Sequence, residues 1–181
     1  MGARKEQQRK GDNIFSRHAD VKLLAVVGHS MGGDAAAVSA GASQLDELKA
    51  VVAMNPSCNF DAIPVGEAVS VPIMYTTGAS DVVVLPEVVY AVFEATQHKP
   101  KVLANQLQAS HFEPMNICVP TLFPTVTTCA TIDIWVSYFL MCHVRSNSEA
   151  CDLIYGTKHG SLCHGGSAGP MFPGGCQAIK A

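Results

Sequence analysis

The sequence predicts an α/β fold in which a mostly parallel sheet lies between two layers of helices. Short apolar runs of strand length alternate along the chain with segments of helical composition, an order typical of parallel sheets. The chain has 181 residues, of which 48% are hydrophobic. That is enough for one globular domain with a sizeable core.

The first half of the chain begins with an apolar run at residues 21–27 (VKLLAVV), followed by an alanine-rich segment at residues 32–42 (GGDAAAVSAGA). This order predicts a strand, a sharp turn and a helix. Two further apolar runs, at residues 50–54 (AVVAM) and 71–77 (VPIMYTT), are each followed by turn-forming residues. Both are predicted to be buried strands.

The second half continues the alternation. Pro86 suits the first turn of a helix over residues 86–96, and residues 101–107 (KVLANQL) predict a fourth strand. Residues 127–144 predict a closing helix that packs on the sheet. Its aromatic residues recur at helical spacing and are predicted to lie in the core: Trp135, Tyr138 and Phe139.

The chain shows no internal repeat and no sign of a second domain. Residues 1–145 are predicted to form the catalytic core, and the Gly- and Cys-rich residues 146–181 an irregular, disulfide-tied region of the same domain. Four of the seven cysteines fall in the last 40 residues: Cys142, Cys151, Cys163 and Cys176. This clustering indicates one or more disulfides and a secreted, extracellular protein.

Charge and hydropathy exclude several classes of partner. The 12 basic and 15 acidic residues give a net charge of −3, so we expect no nucleic-acid partner. No stretch reaches the roughly 18 apolar residues that a membrane helix needs, so no membrane insertion is expected. The basic run at residues 4–10 has no apolar segment behind it and is neither a signal peptide nor an anchor.

Residues 28–32 (GHSMG) match the pattern G-x-S-x-G, with Ser30 at its centre. The pattern needs glycine on both sides because the serine sits on a tight strand-to-helix turn, which exposes its hydroxyl at the end of the strand. Here an apolar strand precedes the motif and an alanine-rich helix follows it. The sequence therefore provides the context in which this serine acts as a nucleophile.

A nucleophilic serine needs a base to remove its proton and an acid to orient that base. Asp81 follows the third predicted strand and His111 follows the fourth, so both are expected at the same sheet edge as Ser30. Asp61, in a polar loop, is the alternative acid. Four rival histidines outside the motif follow no strand: His98, His143, His159 and His164.

A metal site formed by His159, Cys163, His164 and Cys176 fits no tight zinc spacing, since Cys163 and His164 are adjacent. Disulfides in an extracellular loop explain these cysteines better. No metal and no cofactor are predicted.

The motifs GHSMGG, GASD and ASHFEP, the Trp-containing closing helix and a C-terminal cysteine pair resemble the dienelactone-hydrolase-related branch of α/β-hydrolases. The pattern is similar to that of cutinase-like and PET-hydrolase-like polyesterases, with chlorophyllases and platelet-activating-factor acetylhydrolases as neighbours. The similarity spans residues 14–163. It implies an α/β-hydrolase fold and a serine hydrolase of carboxylic esters, with a lipid-like, small or polyester substrate.

The resemblance also implies roles for individual residues. Ser30 is the nucleophile, His111 the general base, Asp81 its orienting acid, and the Met31 backbone N–H a donor to the oxyanion. Thioesterases and acyltransferases use the same triad, so the motifs do not define the substrate.

Substrate contacts are expected from His29, inside the motif, and from Phe60. Polyester-active members of the family carry an aromatic residue, usually Trp, in the loop that corresponds to residues 55–60, and Phe60 is the candidate substitute. The resemblance further implies a disulfide between Cys151 and Cys163.

The chain departs from the family pattern before the motif. Only 29 residues precede Ser30, whereas the family places several strands and a second oxyanion donor there. We therefore expect the first strands of the sheet to be missing and the open strand edge to permit self-association. The alternative function is that of a truncated, weakly active or inactive fragment that serves as a binding or scaffold module.

Overall fold

The computed structural model describes residues 19–42, 45–57, 62–106, 109–115, 127–156 and 177–179, without the side chains of 62, 127–131 and 177–179. The strands are β1 (Leu24–His29), β2 (Leu48–Met54), β3 (Ile73–Gly78), β4 (Lys101–Gln106) and β5 (Gln177–Ile179). The helices are α1 (Met31–Ala42), α2 (Ala62–Ala68), α3 (Pro86–Ala95), α4 (Thr127–Arg145) and α5 (Ser148–Tyr155), with a 3₁₀ turn at Glu113–Met115.

The sheet has the order β1-β2-β3-β4-β5. Strands β1 to β4 pair in parallel, and β5 pairs antiparallel with β4. The predicted α/β class with a mostly parallel sheet is confirmed. The helix α2 was not predicted from the sequence.

Helices pack on both faces of the sheet. On one face, side chains of α1 and α3 meet alternate strand residues, with Tyr75 and Phe93 among the largest buried side chains. On the other face, Trp135 and Phe139 of α4 pack on the intervening strand residues, whose side chains point to that face. Helix α5 contributes Ile154 to the same cluster. The predicted core position of the α4 aromatics is confirmed, with Tyr138 partly buried beside the other two.

Parallel pairing brings the carboxyl ends of four strands to one edge of the sheet. In the register, His29 lies opposite Met54, Met54 opposite Thr76, and Thr77 opposite Asn105. The turns that follow these strands are therefore neighbours. Strand β1 is the outer strand of the described sheet, and self-association at this edge stays a prediction.

The region after residue 145 corrects two expectations. It was expected to be irregular, but it contains α5, whose first turn is capped by Asn147 accepting a hydrogen bond from the Ala150 N–H at 2.8 Å, and β5. The expected Cys151–Cys163 disulfide is wrong, because Cys151 is bonded to Cys142.

The chain reversal between α4 and α5 explains this pairing. Ser146 has a φ of 53°, and the turn brings the last helical turn of α4 against the first turn of α5. The Cα atoms of Cys142 and Cys151 are 4.7 Å apart, within the usual range for a disulfide. Cys163 and Cys176 lie outside the described residues. None of the helices in the described ranges combines the length and apolarity needed to cross a membrane.

Candidate active site

Ser30 occupies the turn between β1 and α1 with a φ of 57°. A left-handed conformation is costly for a residue other than glycine, and such strain is typical of functional turns. The Ser30 N–H donates to the Met54 carbonyl at 2.9 Å, which ties the turn to β2. A Cβ atom on Gly28 would lie 1.9 Å from the Gly32 carbonyl oxygen, so the turn closes only with glycine at position 28.

Asp81 lies in the turn after β3 and is 2% exposed. Its Oδ1 accepts the backbone N–H groups of Val83 at 2.9 Å and Val84 at 2.8 Å. Its Oδ2 accepts the Asn55 Nδ2 at 2.9 Å. Both carboxylate oxygens are therefore held in place from outside the triad.

Burial alone would raise the pKa of Asp81. The hydrogen bonds from Asn55, from the Val84 and Val83 N–H groups and from His111 outweigh burial, so the pKa of this carboxyl lies below its ordinary value. Asp81 is consequently an ionised acceptor at neutral pH.

His111 lies in the turn after β4 and is 4% exposed. The turn is joined to the Asp81 turn by the Ser80 N–H, which donates to the Ala109 carbonyl at 3.0 Å. Within the turn, the N–H and the hydroxyl of Ser110 both donate to the Glu113 Oε2 at 2.6 Å. These bonds fix the backbone that carries the imidazole.

The three predicted residues form a continuous hydrogen-bonded relay. The His111 Nδ1 lies 2.8 Å from the Asp81 Oδ2, and the His111 Nε2 lies 2.9 Å from the Ser30 Oγ. Because an ionised carboxylate only accepts, Nδ1 carries the proton in the neutral imidazole, and Nε2 is left to accept the Ser30 hydroxyl proton. This arrangement can take a proton from the serine during attack on a carbonyl.

His29 stands beside this relay. Its Nε2–H donates to the His111 carbonyl oxygen at 2.7 Å, and the two imidazole rings have centroids 4.7 Å apart. Burial and the neighbouring His111 lower the pKa of His29, against the opposing effects of the His111 carbonyl and Asp81. His29 is therefore neutral at neutral pH, and its contact with substrate stays a prediction.

Met31 is the first residue of α1. Backbone N–H groups in the first turn of a helix have no acceptor within the helix, so the Met31 N–H is suited to an oxyanion. Its role there stays a prediction. Phe60 and Asp61 lie outside the described residues.

The other described histidines lie elsewhere in the chain. His98 follows α3, and the His143 Nε2 on α4 lies 2.8 Å from the Tyr155 hydroxyl oxygen. Burial lowers the pKa of His143 to about 4. His159 and His164 are outside the described residues. Across the described ranges, no group of three or more His, Cys, Asp or Glu side chains is placed to hold a metal ion.

Asn55 is the site residue that sequence reasoning missed. It directly follows β2, has a φ of 43° and is 1% exposed. Besides its bond to Asp81, it accepts a hydrogen bond from the Thr76 Oγ1 at 3.2 Å. The available signal was a polar residue at the carboxyl end of a strand between the strands of Ser30 and Asp81.

Exposed apolar side chains surround the three turns that carry the relay. Six large apolar residues that follow a relay residue by at most four positions are 47–86% exposed. We call this set the apolar rim: Met31, Val82, Val83, Leu85, Phe112 and Met115. The Phe112 ring is perpendicular to the His111 ring, with centroids 5.5 Å apart. Large exposed apolar side chains beside such a site suit the binding of an apolar ligand.

Comparison of the chain with protein-family models and with curated proteins finds no match.

Proposed function

We propose that this chain is a serine hydrolase with an α/β-hydrolase fold, which cleaves carboxylic esters through an acyl-enzyme. The observation that carries the proposal is the relay from the Ser30 Oγ through His111 to Asp81, with contacts of 2.9 Å and 2.8 Å. The left-handed Ser30 backbone between a strand and a helix supports it, because this is the conformation of a nucleophile elbow.

In the first half of the reaction, the Ser30 Oγ attacks the ester carbonyl carbon while its proton passes to the His111 Nε2. The Asp81 carboxylate stabilises the resulting imidazolium without itself taking the proton. The carbonyl oxygen becomes an oxyanion, and the Met31 N–H is its proposed donor. The C–O bond then breaks, and His111 returns the proton to the departing alcohol, leaving the acyl group on Ser30.

In the second half, a water molecule attacks the acyl carbon, and the His111 Nε2 accepts the water proton. The tetrahedral intermediate collapses, the bond to the Ser30 Oγ breaks, and His111 returns the proton to that oxygen. The carboxylic acid leaves, and the relay is restored.

The apolar rim supports an ester with an apolar acyl or alcohol portion, in keeping with a lipid-like, small or polyester substrate. Burial of one methylene group contributes about 0.8 kcal/mol, or roughly fourfold in kcat/KM if it is buried in the transition state. We therefore expect kcat/KM to rise from p-nitrophenyl acetate to the butyrate and the hexanoate.

We also propose that the protein acts outside the cell. The Cys142–Cys151 disulfide supports this location, because disulfides persist in oxidising compartments and are rare in the cytosol.

The test uses the purified chain with p-nitrophenyl esters and a fluorophosphonate probe. Ser30→Ala should abolish labelling and lower hydrolysis by about 10³-fold or more. Ser70→Ala is the matched control, because the Ser70 hydroxyl donates to the Ala40 carbonyl at 2.8 Å and takes no part in the relay. If the folded wild-type chain shows neither labelling nor hydrolysis, the hydrolase proposal is refuted. The alternative function, a binding or scaffold module, would then remain.

A further inference from the structure

The hydrogen bond from His29 to His111 joins two parts of the chain that the sheet holds apart. His29 is the last residue of β1, whereas His111 follows β4, and β2 and β3 lie between those strands. His29 is also the neighbour of Ser30 along the chain. The bond therefore connects the segment that carries the nucleophile directly to the segment that carries its base.

Proton transfer depends closely on the distance between the two segments that this bond joins. The His111 Nε2 must stay within hydrogen-bond reach of the Ser30 Oγ, and a displacement of about 1 Å can cost about 10²-fold in rate. At 2.7 Å, the bond to the His111 carbonyl restrains its backbone from the nucleophile side, while the bond to Asp81 restrains its ring from the other side.

The chemistry of the donor suits this position. A neutral imidazole donates through Nε2–H without bringing charge to the site. The His111 ring, whose centroid is 4.7 Å away, becomes positive during the reaction, and a cationic side chain at position 29 would oppose that charge. The side chain at position 29 must therefore be neutral and long enough to donate to the His111 carbonyl, and histidine meets both requirements.

We propose that His29 is a positioning residue, which holds His111 at proton-transfer distance from Ser30 through its hydrogen bond to the His111 carbonyl. The proposal rests on the proposed hydrolase function. If His29 positions His111, its replacement should lower kcat. If His29 instead contacts the substrate, its replacement should raise KM.

The test compares three substitutions in the full chain. In His29→Gln, the amide nitrogen can occupy the place of Nε2 and donate to the carbonyl. His29→Asn carries the same amide one methylene shorter and cannot reach it, and His29→Phe keeps a ring without a donor. With p-nitrophenyl butyrate, we expect kcat of the Gln variant within about threefold of wild type, and kcat of the Asn and Phe variants about tenfold lower, with KM changed less than about twofold.

A second readout does not require turnover. The Nδ1–H proton of His111 that donates to Asp81 should give a low-field NMR resonance in the wild-type and Gln proteins, and a broadened or missing one in the Asn and Phe proteins. If wild type neither reacts with the fluorophosphonate nor hydrolyses esters, the hydrolase proposal fails. The resonances of wild type and the variants still show whether His29 holds His111 in place.

Equal kcat values and equal resonances for the Gln, Asn and Phe variants would overturn the proposal, as would a loss confined to KM. If the Phe variant does not fold, the kcat values and resonances of the Gln and Asn variants are enough to test the proposal.

Discussion

Replacing Asn55 by leucine, a side chain of similar size, removes the amide that donates to the Asp81 Oδ2 at 2.9 Å and accepts from the Thr76 Oγ1 at 3.2 Å. A hydrogen bond to a charged group contributes about 1.5–3 kcal/mol, and a buried hydroxyl left unpaired costs about 1–3 kcal/mol. We therefore expect the variant to lose about 2.5–6 kcal/mol of unfolding free energy at neutral pH. That is a large share of the roughly 5–15 kcal/mol of a typical domain.

The loss should depend on pH because Asp81 is the partner. The pKa of Asp81 in the folded protein lies below its unfolded value of about 3.9. Asp81 thus stabilises the fold above that value, and the contribution is lost as the pH falls through the folded-state pKa. Removing Asn55 raises the folded-state pKa. The difference between wild type and variant should therefore be largest at neutral pH and shrink in acid by about 1.5 kcal/mol or more.

Urea unfolding, followed by the fluorescence of the single tryptophan, measures this difference at about pH 7 and about pH 3. Trp135 is 6% exposed and packs in the core, so its emission reports global unfolding. Thr76→Val is the matched control. It removes the bond that Asn55 accepts from Thr76 and leaves the bond to Asp81, with an expected loss of about 1–3 kcal/mol that is the same at both pH values. An equal loss for Asn55→Leu at both pH values would refute the role assigned to the Asp81 charge.

Two further predictions concern stability. Gly28→Ala should cost more than about 3 kcal/mol, because its methyl group would lie 1.9 Å from the Gly32 carbonyl oxygen. Gly32→Ala should change stability by less than about 0.5 kcal/mol, because its methyl group would meet no atom within 4 Å beyond its chain neighbours and the backbone of its own helix. Equal shifts of the melting temperature in the two variants would contradict the geometry of the turn. Replacing Cys142 and Cys151 together by alanine opens a loop closed over a separation of 9 residues and should cost about 2–3 kcal/mol. Reductant should lower the melting temperature of wild type by more than that of the double variant. A wild-type melting temperature insensitive to reductant would contradict this disulfide.

The elements and the serine turn were predictable because their signals are local. Short continuous apolar runs predicted strands β1 to β4, and the glycines around Ser30 predicted a turn that a larger residue at position 28 cannot close. Asp81 and His111 were predictable because each follows a strand, and parallel strands end at one edge. Chain order and strand ends were enough to bring these three residues together.

The contacts that support the relay could not be predicted in this way. The bond from Asn55 to Asp81 spans 26 residues, and the bond from His29 to His111 spans 82. Whether two such side chains meet depends on strand order, register and the path of each turn. Local sequence patterns do not determine these features.

The same reason separates what the sequence by itself determined from what the tertiary structure decided. The sequence determined the α/β class, the strand-turn-helix around Ser30 and the order of the candidate triad, since these follow from local periodicity and turn chemistry. Only the tertiary structure decided that Cys151 pairs with Cys142, that β5 joins β4, and that Asn55 and His29 form hydrogen bonds with Asp81 and His111. Each of these depends on the three-dimensional separation of groups, and spacing along the chain does not set that separation.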